Sequence, residues 1–190
     1  GFHALNTNTT GTQNTALGSE ALESNTTASN TVGVGYKALE ANTTGTENVS
    51  VGRLSLSSNT TADYNTGIGT NALFANTTGA SNTAIGRDAL TANTTASNNT
   101  AIGFQALNAN TTGQNNVAVG ANTLDANTTG AFNTSLGQGS MTSNTTGSDS
   151  VAVGYFALST ATTGGQNSAL GYLALQDVTT ATGNTGIGYQ

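Results

Sequence analysis

Cysteine, proline and tryptophan are absent from the 190 residues, and charge is scarce: three Lys or Arg, nine Asp or Glu, one His. Without cysteine there is no disulfide framework and no thiolate metal site, and the redox compartment leaves no mark. Three basic residues against nine acids lack the electrostatic footprint of a nucleic-acid binder. No apolar run approaches the roughly 20 residues that span a bilayer, so the segment is not expected to insert into a membrane. No signal peptide is apparent, and the chain opens in mid-repeat (GFHAL), so we expect a piece of something longer. Leu, Ile, Val and Phe total 33, under a fifth of the chain, a level that usually accompanies disorder. Disorder also needs high net charge, and here the net is only -6.

What the chain has instead is period. Glycine recurs at 1, 18, 35, 52, 69, 86, 103, 120, 137, 154, 171 and 188, always 17 apart, so residues 1–190 read as one repeat domain. The residue before the glycine (slot −1) is always aliphatic: Leu17, Val34, Val51, Ile68, Ile85, Ile102, Val119, Leu136, Val153, Leu170 and Ile187. Slot +4 holds Leu, as at Leu73, Leu90, Leu107 and Leu124, with Met141 as the one exception. Slot +7 holds Asn76, Asn93, Asn110, Asn127 and their counterparts from Asn8 to Asn144, and slots +8 and +9 are Thr-Thr in every copy. A second asparagine file stands at slot −4, as at Asn82, Asn99 and Asn116.

Seventeen residues are too few for helical hairpin or leucine-rich repeats. Thr-Ala-Ile-Gly and Val-Ala-Val-Gly alternate large and tiny residues with the period of a strand. Ala-Leu-x-Ala suggests a second short strand, and Asn-Thr-Thr-Gly supplies turn chemistry. Two strands and two turns make one coil of an all-β, parallel β-solenoid: a flattened, two-sided β-roll of about eleven coils and about 50 Å. Like residues then stack on like, with asparagine amides bonding along the axis as in cross-β assemblies. Slot −2 is always Ala, Gly or Ser, and either this small face or the aliphatic one is expected to meet identical protomers.

The motif Asn-Thr-Ala-Ile-Gly, at Asn82–Gly86 and Asn99–Gly103, resembles the head repeats of YadA-type trimeric autotransporter adhesins and the repeats of phage tail-fibre-like proteins. The resemblance covers the whole chain as repetition. It implies a left-handed roll, a homotrimer of identical protomers, and an extracellular place on a cell surface or virion fibre. The unit here is longer than in the autotransporter heads, and the chain holds no coiled-coil stalk, anchor or chaperone domain.

Enzyme chemistry finds no footing. His3 occupies a variable slot and reads as solvated, and the acids share no recurring spacing for acid–base work or a calcium ladder. No cofactor site is expected. Asn-Thr-Thr is formally an N-glycosylation acceptor, although an asparagine ladder explains it better. The aromatics Tyr36, Phe104, Tyr155 and Tyr172 in slot +1, with Tyr64 and Phe132 in slot +12, are candidate contacts to surface glycans or a host receptor. Lys37, Arg53 and Arg87 are expected to keep the surface soluble or to bridge to acids on neighbouring coils. The function expected is therefore structural: a shaft or head segment of an extracellular fibre that gives reach and attachment. The alternatives are a solenoid whose flat Thr/Asn face binds ice or glycans, with Asn and the second Thr as its outward pair, and a filament subunit that polymerises end to end.

Overall fold

The computed structural model describes residues 1–190. It contains no helix. Eleven three-residue strands follow one another in a single parallel sheet, in strict chain order. They are β1 (Thr15–Leu17), β2 (Val32–Val34), β3 (Val49–Val51), β4 (Thr66–Ile68), β5 (Thr83–Ile85), β6 (Thr100–Ile102), β7 (Val117–Val119), β8 (Thr134–Leu136), β9 (Val151–Val153), β10 (Ser168–Leu170) and β11 (Thr185–Ile187). Each strand lies on the one 17 residues away: Thr83 pairs with Thr100, Ala84 with Ala101, Ile85 with Ile102. The chain is a parallel β-solenoid with 17 residues per coil.

Parallel strands normally need a crossover of a dozen or more residues, usually helical. Here the 14 residues between strands make that crossover without a helix, because they too bond from coil to coil. Only 20 of the 118 backbone hydrogen bonds lie within strands. Between them, Thr77 N donates to Thr94 O at 2.9 Å and Leu90 N to Ala106 O at 3.0 Å. Most of the backbone hydrogen bonds thus run from one coil to the next, and same-coil bonds such as Asn93 N to Leu90 O close the turns, as the interior of a thin rod requires.

Each strand sends its middle residue inward. Ala84, Ala101, Ala118 and Ala152 are fully buried. Across the coil stands the leucine file, fully buried from Leu22 to Leu158 with Met141 among them. A Cβ added to Gly33 would lie 3.1 Å from Leu22 Cγ, and one on Gly67 would lie 3.2 Å from Leu56 Cγ. The core is therefore one side chain thick: a large leucine against a small residue. Small strand centres make room for leucine, so the small face is an inner wall and cannot meet a protomer.

The expected second strand is not one. The segment after each glycine is a run of turns, with left-handed backbone at slots +2 and +4: Asp88 (φ 60°) and Leu90 (φ 51°), then Gln105 (φ 53°) and Leu107 (φ 55°). A bulky residue at positive φ is unusual and costs about 1–2 kcal/mol. Burial of the leucine and the inter-coil bonds on its peptide group hold it there. Slot 0 is stricter. Gly103 has φ 137°, and a Cβ there would sit 2.4 Å from Gly120 O on the next coil. Only glycine fits both the backbone and the gap.

The slot +7 asparagines form the ladder the sequence implies. Asn93 Nδ2 donates to Asn76 Oδ1 at 2.8 Å and to Ala96 O at 3.0 Å, and Asn110 repeats this on Asn93 at 3.1 Å. The slot −4 file works differently. Asn99 Oδ1 accepts the backbone N–H of Asn116 at 2.9 Å, while Asn99 Nδ2 donates to Gly113 O at 2.9 Å. Both files are fully enclosed, so Asn cannot belong to an outward Asn/Thr pair. In the Thr-Thr pairs, the first hydroxyl donates to the next coil's carbonyl, as Thr77 Oγ1 does to Thr94 O at 3.0 Å. The second, such as Thr95, faces solvent. Buried serines come in partnered sets: Ser135 Oγ lies 2.6 Å from Ser140 Oγ and 2.8 Å from Thr123 Oγ1.

Candidate functional site

Because the strand centre points in, its two flanking residues must point out. Slots −3 and −1 therefore cover the outer face of the sheet. Slot −1 carries Leu17, Ile68, Ile85, Ile102, Leu136 and Leu170 with between 37 and 64 per cent exposure. Slot −3 adds Thr83 and Thr100, and elsewhere valine, including the exposed Val117 and Val151. Ten coil-to-coil steps of about 4.8 Å make this an unbroken aliphatic strip about 48 Å long. No acidic or basic residue interrupts either file. Strips of this kind on a folded chain mark an interaction surface. Of the two aliphatic residues in each coil, only the slot +4 leucine is buried. Ile68, Ile85, Ile102 and Val119 stack as expected, on the outside.

Slot +1 borders this strip. Tyr36 and Phe104 stand there half exposed, each with a cation over its ring: Lys37 Nζ at 5.7 Å and Arg87 Cζ at 4.7 Å. Tyr155, Tyr172 and Tyr189 stack face to face, with centroids 5.2 and 5.1 Å apart and planes within 15°. Their facing sides cover one another, while the ladder as a whole stays exposed along the rod. Tyr64 and Phe132 differ. They lie on another edge of the rod, 56 and 60 per cent exposed, with left-handed backbone (φ 61° and 59°) and no ring stacked on either. Phe74, in slot +5, is also exposed and stands outside the aromatic slots noted from the sequence.

The charged residues converge more than their scatter along the chain suggests. Slots +2 and +5 are neighbours within a coil and stack between coils. Lys37 Nζ lies 2.8 Å from Glu40 Oε1 and 3.1 Å from Glu20 Oε2 on the preceding coil. These two hydrogen bonds hold its ammonium well above its ordinary pKa. Glu20, Glu23 and Glu40 bring carboxylate oxygens within 4.8 Å of one another. His3, expected to be solvated, reaches Glu23 Oε1 at 3.0 Å and stacks on Phe2. With Lys37 among the carboxylates, the group is an ionic clamp across the first coils. Reading the sequence as a lattice with a 17-residue step would have placed these residues together. Arg87 pairs with Asp88 of its own coil at 3.0 Å, not with an acid on a neighbour.

Asn8 on the first coil is half-buried, but from Asn25 to Asn144 the asparagines of Asn-Thr-Thr are fully buried, with both amide hydrogens committed to neighbours. Folded coils therefore cannot present them for glycosylation. No helix is long and apolar enough to cross a membrane. The chain matches no protein-family model, no curated protein and no solved structure.

Proposed function

We propose that this chain is a shaft or head segment of an extracellular fibre, on a cell surface or a virion, and that its aliphatic strip is where identical protomers pack. The observation that carries this reading is the strip itself: about 48 Å of uncharged Leu, Ile, Val and Thr on the outer face of a stiff sheet. A copy of the same chain has the matching length, the matching period and no charge to desolvate. Three rolls around a common axis, each turning its strip inward and coiling left-handed, is the arrangement that the likeness to the adhesin heads favours. The cation-capped rings at Tyr36 and Phe104 then form an aromatic and basic rim, the composition found around protein interfaces. Receptor or glycan contacts fall to variable slots that stay outside the assembly, with Tyr64 and Phe132 first among them.

Sedimentation equilibrium tests the assembly. The wild-type chain is expected to run at three times its 18.7 kDa, and Ile85→Asp, which places a carboxylate in the strip, is expected to dissociate it. A folded wild-type monomer at micromolar concentration would overturn the reading. In that case the bare strip and the exposed Thr95 file become candidates for ice binding, and a thermal hysteresis assay would decide that.

A further inference from the structure

The asparagine ladder ends inside the rod, and its end leaves two acceptors without donors. In each coil from the second to the ninth, the slot +7 amide donates twice: to the preceding asparagine's Oδ1 and to the carbonyl three residues ahead. Asn144 Nδ2 does this to Asn127 Oδ1 at 2.9 Å and to Gly147 O at 3.1 Å. The next residue of the file is Ala161. Asn144 Oδ1, fully enclosed, therefore has no hydrogen-bond partner, the only buried side-chain oxygen or nitrogen in the chain of which this is true.

The same coil loses a second donor. Gly147 O also receives Asn133 Nδ2, at 2.8 Å, from the slot −4 file. The equivalent amide for Gly164 O would come from residue 150, which is Ser150. Its hydroxyl accepts from Asn167 N at 3.1 Å and reaches only Ser148 O, at a long 3.4 Å. Gly164 O is thus deprived of both of its usual donors at a buried position. The two orphaned oxygens face one space. A Cβ placed on Gly147 would stand 2.4 Å from Asn144 Oδ1 and 2.5 Å from Gly164 O. For Gly130, one coil earlier, the third-nearest atom is Asn144 Nδ2 at 3.1 Å; for Gly147 it is the carbonyl carbon of Gly164 at 3.2 Å, and Ala161 has no amide to offer.

We propose that a single buried water binds there, donating one hydrogen to Asn144 Oδ1 and the other to Gly164 O, in the place of a carboxamide nitrogen. A methyl stands at Ala161 where three more heavy atoms stand in the other coils, which leaves room for one water of about 30 Å³. A buried amide oxygen without a donor is costly, and a water restores it at little entropic expense. The two oxygens that face the site are neutral: an amide and a backbone carbonyl. A monovalent or divalent cation would shed its hydration for two uncharged ligands and gain too little in return. The site takes a hydrogen-bond donor that is small and uncharged.

A high-resolution crystal structure of the wild-type chain is expected to show one density peak about 2.7–3.2 Å from both Asn144 Oδ1 and Gly164 O. In Ala161→Asn the new amide nitrogen should take its place. In solution, water magnetic relaxation dispersion should count one long-lived water fewer in Ala161→Asn than in the wild type. A wild-type map with no peak there, or with a peak ringed by four or more oxygens at cation distances, would overturn the assignment. So would an unchanged count of long-lived waters in a variant whose circular dichroism matches the wild type.

Discussion

At the scale of single residues, the rod is held by positions that admit almost no choice. Slot 0 combines a φ open only to glycine with a neighbouring backbone where a Cβ would fall. Gly103→Ala is expected to destabilise by about 3 kcal/mol or more, because strain and collision add; urea unfolding measures it. Asn93 holds Asn76 Oδ1 and is itself held by Asn110. Asn93→Ala strands a buried acceptor and should cost about 2–3 kcal/mol, whereas Thr95→Ala, at the exposed partner slot, should stay within about 0.5 kcal/mol. Both asparagine files and the glycine file were legible in the sequence, since residues that stack on copies of themselves recur in long runs, broken in the asparagine files only at Thr31, Ser150, Ala161 and Val178. Of the clamp around Lys37, the sequence offered only a bridge to an acid on a neighbouring coil, made here to Glu20; the full group was not foreseen, because its members do not recur. Its sign is testable. A lysine pKa raised in the folded state contributes stability that is fully present below the unfolded value of about 10.4. That stability is lost as pH climbs through the folded value. The thermal midpoint should therefore fall more between pH 9 and pH 11.5 for the wild type than for Lys37→Met.

At the scale of elements, each coil has one true strand and one wall of turns, and only the first announces itself. Thr-Ala-Ile alternates as a strand does, and Thr100–Ile102 is one. Ala-Leu-x-Ala alternates in the same way, yet Leu107 sits at φ 55°. Local preference argues against that backbone for leucine; the inter-coil hydrogen bonds and the buried side chain override it, and neither is visible within one repeat. The distinction has a consequence for substitution. In a strand, valine would replace leucine with ease. In left-handed backbone its branched Cβ is far worse placed than an unbranched side chain. Leu107→Met should therefore cost less than about 1.5 kcal/mol, as Met141 in the same file suggests, and Leu107→Val clearly more, by denaturant titration. The reverse order would mean that the wall is a strand after all.

At the scale of the whole molecule, the inside-out placement of the two aliphatic files is what the proposed function rests on. The leucines are spent on a core one side chain thick, and the Ile/Val/Leu file is left on a surface with no charge to keep it wet. Periodicity revealed both files but not which of them faces out. That followed only once the small strand centres were seen packed on leucine. In the fibre segment proposed above, these strips are the surfaces that identical chains would cover. The absence of cysteine from the sequence makes the decisive measurement clean. Ile102→Cys places a single thiol in the strip, and Thr95→Cys places one on the solvent-facing threonine file. Under mild oxidation, Ile102→Cys is expected to form disulfide-linked dimers rapidly and Thr95→Cys almost none at equal concentration. Equal rates at the two positions, or cross-linking only through Thr95→Cys, would contradict the proposed packing.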